Sequence, residues 1–179
     1  MGIPTLIQTL TASSDATLAD TSSMTSAYDE YMFVMTDLHP ETDSVDFGFQ
    51  VNVDGQSGYN ETSTNTFFKA GHDEADSYPS IGYESTMDQA QGTAYNWLSF
   101  NTGNDADQSK AGILHIFSPA DTTYVKHFYS RCNGYHAEDY TDEMVTAGYI
   151  NVTGAITDIS FKFESGAIDA GVIQIYGIS

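Results

Sequence analysis

Any chemistry in this chain must come from a small set of residues. Cys132 is its single cysteine, and His136 follows four positions on. A thiolate nucleophile needs a base beside it, and one histidine at that spacing is a thin signal. A solitary cysteine usually packs as a small hydrophobe, and it supports neither an intrachain disulfide nor a Cys-based zinc site. Two runs, His72-Asp73-Glu74-Ala75-Asp76 and His136-Ala137-Glu138-Asp139, set histidine beside carboxylates. No two histidines share helix or strand spacing, so neither run reads as a transition-metal site. Asn104, Asp105 and Asp107 lie in Asn101–Ser109, where oxygen-bearing side chains alternate as at the start of a calcium loop. Glycine at the sixth position and glutamate at the twelfth are missing, and the plain alternative is a solvated acidic turn. With 25 carboxylates in the chain, any pair of them is unremarkable. No G-x-S-x-G elbow, P-loop or dinucleotide fingerprint accompanies them. The expectation is a non-enzymatic chain, with calcium the one cofactor to consider.

Binding offers more. Tyr78, Tyr83, Tyr95 and Trp97 stud a polar stretch, residues 71–109, rich in Gly, Ser, Asn and Asp. Exposed aromatic faces beside Asp and Asn suit sugar stacking, and Tyr and Trp are enriched in protein interfaces. A third reading has them covering the open end of a sandwich. All three stay open on sequence alone.

The elements that position these residues have a period of two. Val45-Asp46-Phe47-Gly48-Phe49-Gln50-Val51-Asn52-Val53 alternates strictly, as a half-buried antiparallel strand does, and the turn pair Asp54-Gly55 follows. Tyr31–Met35 is continuously apolar, like a strand covered on both faces, until His39-Pro40 ends it. Gly112–Phe117, Thr122–Tyr129, Thr146–Val152, Asp158–Glu164 and Gly171–Ile178 are further strands, and residues 4–10 and 15–21 weaker Thr-rich ones. No three-turn amphipathic helix appears. About eight to ten short strands with Gly, Asp, Asn and Ser between them predict an all-β, jelly-roll-like antiparallel sandwich. It forms one domain over 1–179, with 71–109 a loop-rich insertion. The apolar start, with Ile3, Leu6, Ile7 and Leu10, has no evident hairpin partner and reads as an N-terminal assembly arm over residues 1–10.

The 179 residues hold 25 acidic and five basic side chains, a formal charge of −20. Lys69, Lys110, Lys126, Lys162 and Arg131 are scattered, which excludes a phosphate-binding face and opposes docking to anionic membranes. No segment reaches the roughly 18 apolar residues of a membrane span. Met1-Gly2 opens a chain without a basic n-region or an apolar run, so no secretory signal is expected. The sequons at Asn60 and Asn151 are near chance frequency in a Thr-rich chain and carry little without one.

Several segments together resemble a family of structural proteins of marine bacteriophage particles, of the tail-fibre-like or capsid-decoration kind. They are Tyr28–Val34, Leu38–Phe47, Tyr59–Thr62 with Thr66–Phe68, Thr122–Phe128 and Ile173–Ile178. The resemblance implies a virion component displayed on the particle, made in the host cytoplasm and released by lysis. Its partners would be capsid or tail proteins and its own copies, with nucleic acid and membrane excluded. Host surface glycan is the alternative partner. The resemblance carries no site residues with it.

Overall fold

The computed structural model describes residues 2–179, so of the N-terminal stretch only Met1 lies outside the described residues. There are thirteen strands: β1 (Thr5–Thr11), β2 (Leu18–Asp20), β3 (Glu30–Pro40), β4 (Val45–Val53), β5 (Ser63–Asp73), β6 (Ser80–Tyr83), β7 (Gln89–Gly92), β8 (Asn96–Thr102), β9 (Lys110–Phe117), β10 (Lys126–His136), β11 (Tyr140–Ile150), β12 (Ile156–Phe163) and β13 (Ile168–Ile178). No helix occurs among the described residues. The pairings between strands are antiparallel throughout. A large layer runs β1-β13-β3-β9-β10-β11-β5, with β6 and β7 paired side by side along the far edge of β5. A small layer runs β2-β12-β4-β8. The two join where Thr102 of β8 meets His136 of β10.

Alternation places one aromatic set between the layers. Phe49 of β4 meets Phe128 of β10 edge-on at 5.0 Å, and Phe161 of β12 reaches Phe33 of β3 at 5.6 Å. Phe161 also lies 6.1 Å from Phe47 and 6.5 Å from Phe49. Rings from both inner faces interleave, which is the packing that holds sandwiched sheets about 10 Å apart. Gly48 lets β8 approach, since a Cβ there would stand 2.7 Å from the carbonyl oxygen of Asn96.

The all-β sandwich is the fold expected, with specific departures. The insertion at 71–109 is still more loop than strand, but it contains β6, β7 and β8, which the sequence does not announce. Ser80–Tyr83 and Gln89–Gly92 are too short to show a period and are strands only because β5 offers them an edge. From Thr5 onward the expected N-terminal arm is not unpartnered. β1 pairs with β13, from Thr5 opposite Gly177 to Thr11 opposite Val172. The partner lies at the other end of the chain, where no hairpin signal can point. Ile7 and Leu10 pack against the core, while Ile3 (87 % exposed) and Leu6 (49 %) stay outside.

β3 and β4 exchange expected roles. Tyr31, Phe33 and Met35 face inward while Met32 and Val34 are only half-buried. β4, read as half-exposed, is buried on both faces. Its polar side is covered by residues 59–61 and 93–96, and the side chains of Gln50 and Asn52 are hydrogen-bonded to that covering. Gln50 Nε2 donates to the carbonyls of Glu61, Thr93 and Ala94 at 2.9–3.2 Å, and its Oε1 accepts from Val51 N–H. Asn52 Oδ1 accepts from Tyr59 N–H at 2.6 Å. A polar residue at period two marks an outward face only if nothing folds back to satisfy it.

The few cations are largely withdrawn from the surface. Lys126 is buried and donates to the carbonyls of Tyr124 (2.9 Å) and Val152 (3.2 Å). Lys110 is buried between the layers, and Lys69 stands 3.7 Å from the Phe100 ring centroid. Only Asp20, Asp46 and Asp142 among the acids are buried. The surface is therefore more one-sidedly negative than the composition states.

Candidate binding surfaces

The pairing of β5 with β11 sets Asp73 opposite Tyr140 and His72 opposite Thr141. It thereby brings together the two His–carboxylate runs, which are far apart in sequence. The first of them, through His72, Asp73 and Glu74, lines a cleft of about 470 Å³ with Asp107, Tyr135 and Tyr140 among others, and Glu138 of the second lies in a neighbouring hollow with Asp73, Tyr78 and Tyr140. Asp73 builds the rim locally. Its carboxylate accepts from Ser77 N–H (2.7 Å), Tyr78 N–H (2.8 Å) and the Ser77 hydroxyl, and these donors hold it below the usual carboxylate range. The turn so fixed carries Tyr78, whose ring lies 5.9 Å from Tyr140.

Behind Tyr140 runs a stack. Its ring lies 3.9 Å from His136, at 20°, and His136 lies 5.9 Å from Phe100. Glu138 N–H donates to His136 Nδ1 at 3.0 Å, so the proton of the neutral ring sits on Nε2, which is buried and meets no partner. Burial, with Lys69 adding to it, pushes His136 down to about 4, and the ring is neutral at pH 7. Tyr140 is pushed well above its ordinary value by burial, Asp142 and Glu138. Tyr135 donates to Glu74 Oε1 at 3.2 Å.

Asp142, 1 % exposed, has a buried Oδ2 without a partner, and burial raises its pKa to about 6 against the pull of Lys69. The fold holds a proton that the unfolded chain releases near 3.8. Stability therefore falls as pH rises between those values, and the penalty is complete above 6. Asp142→Asn is expected to gain about 1–3 kcal/mol at pH 7. Urea unfolding at pH 7 and near pH 4 checks this: the gain should shrink at the lower pH, and a destabilised variant at pH 7 would refute it.

The sequence candidates distribute unevenly. The structure brings Tyr78 and Asp107 to this end of the molecule, Asp107 in the cleft and Tyr78 beside Tyr140 at its rim. It does not bring the aromatic quartet together. Tyr83, on β6, donates to Asp88. Tyr95 bonds Ser160 at 3.1 Å under Lys162. Trp97 packs on the core. Nor do Asn104, Asp105 and Asp107 converge. Asn104 Nδ2 donates to the carbonyl of Glu41 at 2.9 Å, and the backbone of Asp105 is tied to Gln108 and His39. Among the described residues no three His, Cys, Asp or Glu side chains gather as a metal would require. Cys132 is buried as expected of a small hydrophobe.

Two surfaces escape the sequence reading. Tyr135 and Tyr140 join the cleft only through strand pairing. On the outer face of the large layer, His115 stacks on Tyr129 at 4.6 Å, with Phe117 5.8 Å from the same ring. The alternation within Thr122–Tyr129 and Gly112–Phe117 contains that strip, but not which face of each strand is outward.

The β1 edge is a third surface. β1 is hydrogen-bonded on one side only, to β13. It carries no charged side chain, and none occurs before Asp15. Compared with known protein families, curated proteins and solved structures, the chain matches none.

Proposed function

We propose that the chain is a structural protein of a bacteriophage particle, displayed on its surface as a decoration, knob or fibre component and acting by protein–protein assembly. Its partners are capsid or tail proteins and its own copies. The observation that supports assembly is the uncharged, open edge of β1 on a molecule of charge −20. Unpaired N–H and C=O groups along an edge without charge or proline invite another strand, and here like-charge repulsion is weakest. The phage setting rests on the sequence resemblance.

Deleting residues 2–10 should abolish incorporation into particles, read by the protein composition of purified virions. Unchanged incorporation would overturn attachment through this edge, and absence of the full-length chain from virions would overturn the structural role. The cleft favours a second reading, a host-glycan site, with Tyr135 and Tyr140 as its aromatic lining, Tyr78 beside Tyr140 at the rim, and no lysine or arginine among its lining. Uncharged sugars bound on a glycan array and lost in Tyr78→Ala would favour it. Trp97→Ala is uninformative, because Trp97 supports the core.

A further inference from the structure

We infer that the cleft is one half of a trough that binds an extended glycan chain, several sugar units long and free of acidic groups, across the strands of the large layer. This names the ligand class at the cleft and rests on the host-glycan reading above. Strand register lays out the floor. His72 of β5 opposes Thr141 of β11, and Thr141 opposes Tyr135 of β10. Tyr135 N–H donates to the carbonyl of Ser109 at 3.0 Å, which sets Ser109 beside it just before β9. Lys110 opposes Leu38 with both side chains buried, so their neighbours Ser109 and His39 turn to the outer face. His39 in turn opposes Ala170 of β13. The row crosses β5, β11, β10, β9, β3 and β13, and at about 4.8 Å between strands it is about 24 Å long.

Two hollows lie along this row. The cleft of about 470 Å³ covers its β5–β10 half, and one of about 650 Å³, with Asp37, His39, Asp169 and Ala170, covers the other. Asp107 and Ser109 line both, which makes the hollows continuous. Each alone has the size of a site for one small molecule; together they suit a chain. Tyr135 and Tyr140 give ring surface at one end, extended by Tyr78 5.9 Å from Tyr140. The carboxylates of Asp107, Asp37 and Asp169 are acceptors for sugar hydroxyls along the length. Asp169 spends one oxygen on the Ser14 hydroxyl (2.6 Å) and keeps the other. The hydroxyls of Ser109 and Thr141 both donate and accept. Among the described residues no lysine or arginine lines either hollow, so an anionic chain meets repulsion from the carboxylates. A peptide fits less well. Extended peptides are held through their backbone at a strand edge, whereas this trough crosses paired strands whose backbone groups are already spent in the ladders.

A glycan array graded in chain length and charge, followed by calorimetry on the intact chain with the neutral sugars that bind, tests this. A neutral hexasaccharide should bind about tenfold or more tighter than its disaccharide, and acidic chains of equal length should not bind. Asp107→Asn should weaken both neutral ligands about tenfold. Asp37→Asn combined with Asp169→Asn should leave the disaccharide unaffected and remove most of the gain from length. All three side chains are exposed, so the melting temperature should stay near the parent's. Equal affinity for short and long chains, acidic chains binding as well as neutral ones, or binding insensitive to Asp107→Asn overturns the trough and leaves a host-glycan role standing. An array on which no sugar binds overturns both. An oligolysine peptide that binds where no glycan does, and is weakened by Asp107→Asn, assigns the trough to a basic protein segment instead.

Discussion

Replacing Lys110 by methionine raises the unfolding free energy at pH 7, by about 3–4 kcal/mol. Lys110 is 1 % exposed, with its Nζ 3.9 Å from the Phe47 centroid and 5.6 Å from that of Phe163. Nζ donates to the Ser99 hydroxyl, and among the described residues no carboxylate lies within 4.0 Å of it. Burial lowers its pKa to about 7, against the smaller opposing effects of Cys132 and Asp46. In the unfolded chain the amine keeps its proton up to about 10.5, whereas the fold releases it near 7. Between these values the unfolded state binds the extra proton, so stability rises with pH, and below 7 the full penalty stands.

Methionine is uncharged, of similar length and adaptable in packing. Ser99 keeps a hydroxyl partner in Thr102 at 3.2 Å. Urea unfolding at pH 7 and pH 9 should show the parent gaining about 2–3 kcal/mol from this residue, and Lys110→Met gaining nothing from it. Comparing the two chains removes the opposite trend of Cys132 and the tyrosines, whose raised pKa values lower stability at higher pH. A less stable variant at pH 7, or a parent–variant difference independent of pH, would sink the prediction.

Phe161→Ala should cost about 4 kcal/mol and lower the melting temperature by roughly 10 °C. Phe161 is fully buried and touches rings from both layers, Phe33 on one side and Phe47 and Phe49 on the other. Its removal leaves a hole bounded by two sheets whose strands cannot collapse independently. Phe68 is a control of the same type. It is 43 % exposed and outside the core cluster, and its replacement by alanine should cost about 1 kcal/mol or less. Equal losses at the two positions, measured by calorimetry, would show that the inter-sheet ring cluster is not what holds the layers together.

Both predictions concern residues whose importance sequence alone states only in part. Phe161 lies in the alternating run Asp158–Glu164, and its inward direction is legible there because side chains in a strand alternate strictly. Lys110 is not legible as a core residue. A lysine opening an apolar run normally points to solvent, and only the arrival of β4, β8 and β12 over β9 encloses it. The same applies to the candidate surfaces. Tyr78, Asp107 and the two His–carboxylate runs were visible as residue types, but the cleft exists because β5 and β11 pair in one register. Tyr95 and Trp97 looked equivalent to Tyr78, yet β8 carries Trp97 onto the core.

By itself the sequence determined the fold class, the absence of long helices and the lopsided charge. All of these follow from local periodicity and composition, which no tertiary contact can alter. Tertiary structure alone decided three further matters. It paired β1 with β13 across nearly the whole chain, buried the polar side of β4, and withdrew most of the lysines from the surface. Each depends on which distant segment supplies the hydrogen bonds or the low-dielectric cover, and that information is not carried by any one stretch of residues.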